Sequence, residues 1–198
     1  MGARVATASV RPGFYPAGGG AWSVTVEPLD APRALDATQR TVAGPVSVEA
    51  MRANLSGGIC ERELAAAAAA LDVPGERLRH TSHDGPGPGN AVLVRVPLAT
   101  HTEVFGEIGR HGVKAESVAR RAAGLAQSFL DRDAAVSELL ADQLLLPLSL
   151  LAGGAFTTTA LSGHFLTNVD TIRLFLDVDV TTRRAGSGHL VEVARSVG

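Results

Sequence analysis

Cysteine is almost missing from this sequence. Cys60 is the single cysteine among 198 residues, which excludes a disulfide bond within the chain and fits a reducing compartment. Cys60 stands at the start of an alanine-rich stretch, where we interpret it as a small residue that opens a helix. We therefore assign it no chemical role and expect a cytoplasmic protein.

Long apolar runs are missing as well. No stretch reaches the roughly 20 residues that a helix needs to cross a bilayer. The apolar run from Ala65 to Leu71 is short and follows the charged residues Glu61, Arg62 and Glu63. The amino-terminal region has few charges and no continuous apolar core, which argues against a secretory signal. We therefore expect no membrane segment.

The sequence also lacks an excess of positive charge. Its formal net charge is −2, which argues against a protein that coats nucleic acid through many phosphate contacts. An enzyme that holds only an RNA end with a few local cations is compatible with this charge. The densest basic segment, Arg110 to Arg121, does not bring its cations onto one helix face, so we expect a solvated surface there.

The composition and the hydrophobic pattern predict a globular α+β fold. Apolar residues make up 45% and charged residues 19%, and the length allows one main core with a smaller second one. The helix from about Val136 to Leu151 is apolar on almost every side, so we expect it to be largely buried. Alternation, helical spacing and turn residues predict six strands (Trp22–Glu27, Val46–Met51, Ala91–Val96, Thr102–Ile108, Asp177–Thr182, His189–Val193), a β-rich piece (Phe156–Thr159) and three further helices (Ile59–Leu71, Ala115–Asp131, Val169–Leu176).

Three unusual segments follow one another in the chain. They are Gly13–Gly20 (GFYPAGGG), Leu139–Pro147 (LLADQLLLP) and Ser162–Asn168 (SGHFLTN). Together they resemble the carboxy-terminal part of RNA 3'-terminal phosphate cyclases, and Pro86–Asn90 and Gly112–Glu116 extend the resemblance over nearly the whole chain.

The resemblance implies a specific version of the α+β fold. Members of that family contain repeated units of two helices on a four-stranded sheet, similar to the carboxy-terminal domain of translation initiation factor 3, with a smaller domain inserted into the last unit. We expect residues 1–43 plus 109–198 to form the last unit and residues 44–108 to form the inserted α/β domain. Only one repeat is expected here, with the chain opening inside it.

His164 is the candidate catalytic residue. It precedes a predicted helix start at Thr167-Asn168, and the amino terminus of a helix attracts phosphate through its unpaired N–H groups and its dipole. A neutral imidazole there is a possible nucleophile, although most histidines are structural or solvated. The resemblance implies that His164 takes AMP from ATP and that the enzyme converts an RNA 3'-phosphate to a 2',3'-cyclic phosphate. This chemistry requires a divalent metal, Mg²⁺ or Mn²⁺.

Asp142 and Gln143 stand within a leucine-rich helix. Burying a carboxylate and an amide without partners costs about 2 kcal/mol or more for each, so they either cap neighbouring backbone or face a polar ligand. The resemblance implies that this segment binds ATP, with Gln143 on the base or ribose and Asp142 orienting a hydroxyl or a metal-bound water. The residues assigned to ATP are Glu138, Leu139, Leu140, Ala141, Asp142 and Gln143.

The glycine-rich segment Pro16–Gly20 has two interpretations. Three glycines permit a phosphate cradle, and they equally permit a tight turn into the strand at Trp22. The family usually has Arg or His directly before the position of Gly13, where this chain has Pro12 with Arg11 one residue earlier. A cationic contact is therefore weakened or moved. A metal site at His80, His83 and Asp84 has weak support and is not proposed.

Two further functions stay open at this stage. One is a non-catalytic cyclase-like scaffold in RNA processing, although such relatives lack the nucleophilic histidine. The other is an RNA- or protein-binding module formed by residues 44–108. The upstream repeats of the family would complete the pocket for ATP and the RNA 3'-phosphate end. We therefore expect little or no cyclisation by this chain alone, and an apolar flank open to self-association or a partner chain.

Overall fold

A computed structural model describes residues 1–195 as an α+β fold, as the sequence predicted. Its helices and strands, in chain order, are β1 (Val5–Arg11), β2 (Ala21–Val26), β3 (Leu35–Ala37), β4 (Ser47–Ala53), α1 (Gly57–Leu71), β5 (Leu78–His83), β6 (Gly89–Pro97), β7 (Thr102–Ile108), α2 (Ala115–Leu130), α3 (Glu138–Leu150), β8 (Gly154–Thr158), α4 (Gly163–Arg173), β9 (Val178–Ala185) and β10 (Gly188–Arg195), with a 3₁₀ turn at Gly75–Arg77. Within these residues, no helix is long and apolar enough to cross a membrane.

The first four-stranded sheet has the order β3-β8-β10-β9. β3 and β8 are parallel, while β10 runs antiparallel to both of its neighbours. α3 packs on β8 and β10, and α4 packs on β9 and against α3. The core between the helices and this sheet contains Phe156, Phe165, Leu145, Leu148 and Val191, all fully buried.

The second four-stranded sheet has the order β5-β4-β6-β7. β5 pairs in parallel with β4, over residues for which we had predicted no strand. α1 and α2 pack against each other and cover one face. Phe129 of α2 contacts Phe105 of β7, with the ring centroids 5.5 Å apart.

The position of α2 bears on the domain division. Val118, Ala122, Ala126 and Phe129 of α2 are buried in the core of the second sheet, whereas Leu125 is 43% exposed. By its packing, α2 therefore belongs to the same unit as the second four-stranded sheet. The division into residues 1–43 plus 109–198 and 44–108 stays a prediction, and these contacts favour a boundary that follows α2.

β1 and β2 form a separate two-stranded sheet. Val5 pairs with Val26 and Thr7 with Val24, so these side chains lie on one face. Trp22, Val24 and Val26 lie on that face and are 73%, 43% and 63% exposed. An isolated hairpin of this kind is marginally stable in water, and its apolar face is open to solvent.

α3 departs from its predicted burial. Leu139, Leu146 and Leu150 are 58%, 48% and 53% exposed, while Ala141, Leu145 and Leu148 are buried. The prediction that this helix is largely buried is therefore wrong. One side of α3 packs on the sheet, and the opposite side presents leucines to solvent.

A buried carboxylate lies on the inner side of α1. Glu63 is fully buried; its Oε1 accepts a hydrogen bond from Asn90 Nδ2, and its Oε2 has no partner among the described residues. Burial raises the pKa of Glu63 to about 7, because desolvation disfavours the charged form. The folded chain therefore holds a proton on Glu63 that the unfolded chain releases at lower pH.

We predict that Glu63→Gln removes part of the pH dependence of stability. Because the folded pKa is raised, wild-type stability falls as pH rises from about 4.5 to above 7, by about 2 to 3 kcal/mol from this group. Urea unfolding at pH 5 and pH 8 should show a much smaller loss in the variant. The exposed Glu61, substituted by Gln, is the control. Equal pH dependence in Glu63→Gln and wild type would contradict the prediction.

Candidate functional site

α3 and α4 begin at the same end of the first sheet. β8 and β9 both run antiparallel to β10 and so run in the same direction. α4 connects these two strands, and α3 leads into β8 through a turn at Gly153. Each helix therefore runs opposite to the strands, and both helix amino termini lie at the carboxyl end of β8. Two helix dipoles thus point their positive ends at one region.

His164 lies in the first turn of α4. Ser162 caps this helix, with its Oγ accepting from the Phe165 amide at 2.9 Å. The helix thus begins four residues before the predicted start at Thr167-Asn168, so the predicted start is wrong. The His164 side chain is exposed, and no hydrogen bond to its ring occurs among the described residues, as a free nucleophile requires.

The start of α3 is fixed by a carboxylate from the second sheet. Ser137 Oγ accepts from the Leu140 amide at 3.2 Å. Ser137 also donates twice to Glu103 of β7, from its amide to Oε1 at 2.7 Å and from its hydroxyl to Oε2 at 2.8 Å. His101 Nε2 lies 3.3 Å from Glu103 Oε1. Glu103 is 3% exposed, so a buried carboxylate ties the two cores together at this helix end.

Asp142 and Asn168 join α3 to α4. Asn168 Nδ2 donates to the Asp142 carbonyl at 3.1 Å and to Asp142 Oδ1 at 3.0 Å. One turn before these residues stand Glu138 in α3 and His164 in α4. Residues four apart share a helix face, and both helices run in the same direction. Glu138 and His164 therefore lie on the facing sides of the two helices, at their amino-terminal ends.

The remaining residues assigned to ATP lie on different sides of α3. Glu138, Leu139 and Gln143 are exposed, Leu140 is half-buried, and Ala141 is fully buried in the core. The Ala141 side chain therefore cannot touch a ligand. Because Gln143 is exposed, the argument from the cost of burial does not hold for it. Asp142 is half-buried and partnered by Asn168, a side-chain partner that the sequence argument had not considered.

The glycine-rich segment packs on the second sheet. A β-carbon at Gly89 would lie 2.1 Å from the Phe14 ring, and one at Gly19 would lie 2.8 Å from Pro86. Arg11 Nε donates to the Gly19 carbonyl at 2.6 Å. The cation next to Pro12 is therefore used within this loop, which favours the interpretation as a tight turn between β1 and β2.

Metal-binding groups are sparse in the part of the chain that the structure describes. It contains no cluster of three or more His, Cys, Asp or Glu side chains that could hold an ion. Asp142 and Glu138 lie on the side of α3 that faces α4. Their oxygens are of the kind that Mg²⁺ and Mn²⁺ prefer, and Mg²⁺ is often held by one or two carboxylates together with substrate phosphates.

Sequence reasoning missed Glu103 and the contact made by Asn168. Glu103 alternates with the buried Phe105 along β7, so a carboxylate on the buried side of a strand was a readable signal. Asn168 was interpreted as part of a helix start, and its bond to α3 had no signal in the sequence.

The fold and this arrangement define a class of protein. It is an α+β unit that presents an exposed histidine beside two helix amino termini, a setting suited to phosphate chemistry. The family model described as RNA 3'-terminal phosphate cyclase matches residues 1–182. The chain belongs to this family of ligases.

Curated relatives agree with this assignment. The RNA 3'-terminal phosphate cyclase of Ectopseudomonas mendocina (strain ymp) is 41% identical over 189 residues, covering 93% of this chain and 54% of the relative. That of Salmonella enteritidis PT4 (strain P125109) is 39% identical over 194 residues, covering 98% and 57%. That of Koribacter versatilis (strain Ellin345) is 38% identical over 179 residues, covering 90% and 50%. The chain spans about half the length of these relatives.

Proposed function

We propose that this chain carries the nucleophile of an ATP-dependent RNA 3'-phosphate cyclase, with His164 as the residue that accepts AMP. The observation that carries this proposal is the exposed His164 in the first turn of α4, at the end of the sheet where α3 also begins. Family membership supplies the reaction type, and the free imidazole supplies a group able to perform its first step.

The reaction has three balanced steps. A ring nitrogen of His164 attacks the α-phosphorus of ATP, and pyrophosphate leaves with the electrons of the broken P–O bond. An oxygen of the RNA 3'-phosphate then attacks the phosphorus of the histidine-linked AMP, and the P–N bond breaks. Finally the RNA 2'-hydroxyl loses its proton and attacks the 3'-phosphorus, so AMP leaves and a 2',3'-cyclic phosphate remains.

The surrounding residues stabilise charge during these steps. Negative charge develops on phosphate oxygens, and the helix amino termini direct N–H groups and positive dipole ends towards it without reorganisation. Glu138 and Asp142 are the residues that would hold Mg²⁺ or Mn²⁺ beside the phosphates. A bound ion would supply further neutralisation of phosphate charge. Gln143, exposed on α3, donates to the base or ribose of ATP.

A non-catalytic scaffold role is the alternative function. The chain corresponds to about half of each relative described above, and we propose that it cyclises RNA poorly or not at all by itself. The exposed His164 favours the enzyme, because a scaffold has no need of an unpartnered imidazole at a helix start. The single buried cysteine fits our proposal of a cytoplasmic location.

The exposed side of α3 supports self-association or a partner chain. Leu139, Leu146 and Leu150 are separated by seven and four residues, so they form one stripe, which we call the α3 leucine stripe. Leu166 in α4 and Phe175 after it are also exposed, at 52% and 80%. The exposed α3 leucine stripe is an apolar surface of the kind that marks an interaction site.

We predict that the chain takes covalent label from α-labelled ATP with Mg²⁺ or Mn²⁺ and that His164→Ala abolishes the labelling. The label should resist base and be lost in acid, as expected for a P–N bond. His111→Ala is the matched control, since His111 is also exposed but lies in a turn. The measurement is autoradiography of denatured protein.

Two results would count against this function. Undiminished labelling of His164→Ala would show that another residue accepts AMP. Strong cyclisation of a 3'-phosphorylated RNA by the purified 198-residue chain would show that it does not need further repeats.

We predict that Leu146→Lys combined with Leu150→Lys weakens self-association of the chain by about tenfold or more. Each exposed leucine buried at an interface contributes about 1.5 to 3 kcal/mol, and 1.4 kcal/mol is a factor of ten. Sedimentation velocity over a range of concentrations measures the effect, with Leu125→Lys in α2 as the control. A wild-type chain that stays monomeric throughout that range rules out self-association through the α3 leucine stripe.

A further inference from the structure

Three paired residues lie side by side at the carboxyl end of β8. His189 of β10 pairs with Thr158 of β8 on one side and with Arg184 of β9 on the other. Directly paired residues in antiparallel strands share a face, with their β-carbons about 5 Å apart. Phe156 and Val191, two residues away along β8 and β10, are buried beneath the helices. The row of Thr158, His189 and Arg184 therefore faces the helix side of the sheet.

Arg184 and His164 lie at the same level along the strand direction of the sheet. Arg173, near the end of α4, donates to the Val180 carbonyl of β9 at 2.9 Å. His164 is nine residues back along the helix, about 14 Å at about 1.5 Å per residue. Arg184 is four residues onward along the strand, about 13 Å at about 3.3 Å per residue. Arg184 therefore lies on the helix side of the sheet, at the end where α4 begins.

The Arg184 end of this row is exposed and positively charged. Thr182 and Arg184 are exposed, so α4 does not cover this end of β9. The ion pairs of the described residues do not include Arg184. His189 Nδ1 is buried and has no hydrogen-bond partner among those residues. Unpaired buried nitrogens are uncommon, and a bound polar group is one way to satisfy them.

A second cation and free amides lie at the same end of the sheet. Arg132 donates to the carbonyl of Thr159, the residue that follows β8, at 3.3 Å. At α4, Ser162 accepts from the amides of Phe165 and Leu166. The Gly163 and His164 amides are the remaining donors of the first turn, and they point out of the helix end. Arginine guanidinium groups and the amides at a helix amino terminus are the donors that phosphate groups prefer.

We propose, building on the function proposed above, that Arg184 and His189 of the β9–β10 hairpin form a phosphate-binding subsite beside His164. The subsite binds a phosphate group of a substrate, either the departing phosphates of ATP or the 3'-phosphate of the RNA. Arg184 supplies the charge-assisted hydrogen bonds, and His189 bridges Arg184 to the end of β8.

The adjacent residue offers a matched control. Arg183 has the same charge and lies on the same strand, but successive side chains of a strand point to opposite faces. Arg183 is also exposed, and its pairing partner is Leu190. Substitution of Arg183 therefore removes the same charge from the same strand without reaching the start of α4.

Calorimetric titration of the 198-residue chain with inorganic pyrophosphate, and separately with a short 3'-phosphorylated oligoribonucleotide, tests the subsite. Arg184→Ala should weaken binding of at least one probe by about tenfold, as expected for a charge-assisted contact. Arg183→Ala should change it by less than about threefold. A loss for pyrophosphate alone assigns the subsite to ATP, a loss for the oligonucleotide alone assigns it to RNA, and both losses support a shared subsite.

Other results overturn the subsite. These are equal losses in Arg183→Ala and Arg184→Ala, unchanged binding in Arg184→Ala, or no measurable binding of either probe by the wild-type chain. Covalent labelling from ATP distinguishes failure of the subsite from failure of the proposed function. Label on His164 with no role for Arg184 rejects only the subsite, whereas Arg184-dependent phosphate binding without label rejects only the adenylylation.

Discussion

The candidate site depends on one contact between two helices. Asn168 of α4 donates two hydrogen bonds to Asp142 of α3. These bonds fix the position of one helix along the axis of the other. Both helices start at the carboxyl end of β8, so this contact also sets the position of His164 relative to Glu138. A shift of one residue would move His164 by about 1.5 Å and rotate it by about 100°, enough to take it out of reach of a phosphate held at α3.

A second constraint on the site comes from the second sheet, through Glu103 of β7. Glu103 of β7 accepts both hydrogen bonds from Ser137 just before α3, so the start of that helix is anchored to the sheet of β4 to β7. A buried carboxylate holds such donors more strongly than a neutral acceptor does. The unit built on the second sheet therefore holds in place the start of α3, the helix that faces His164.

The sequence predicted much of the fold because the relevant signals were local. Alternation identified β2, β4, β6 and β7, and helical spacing identified α1 and α2. Two failures also have physical causes. Ser162-Gly163 was not recognised as a helix start, because a serine cap and a glycine also fit a loop. The leucines of α3 were interpreted as a buried helix, because a pattern that is apolar all round does not show which leucines stay exposed.

The candidate site was predictable only in part. The SGHFLTN segment identified His164 through family resemblance, and its exposure is a structural fact that the sequence did not contain. The leucine-rich context singled out Asp142, but its partner Asn168 is 26 residues away. Register between strands brings Arg184 and His189 to the same edge, and register is not readable from spacing alone. Assignment of α2 to the second core likewise required the packing.

A double-mutant cycle on Asp142 and Asn168 tests most directly whether their contact holds α3 and α4 together. Urea unfolding of Asp142→Ala, Asn168→Ala and the double variant gives the coupling between the two side chains. A coupling of about 0.5 to 1.5 kcal/mol is expected for this hydrogen-bonded pair. Additive losses, with no coupling beyond about 0.3 kcal/mol, would show that the helices do not depend on this contact.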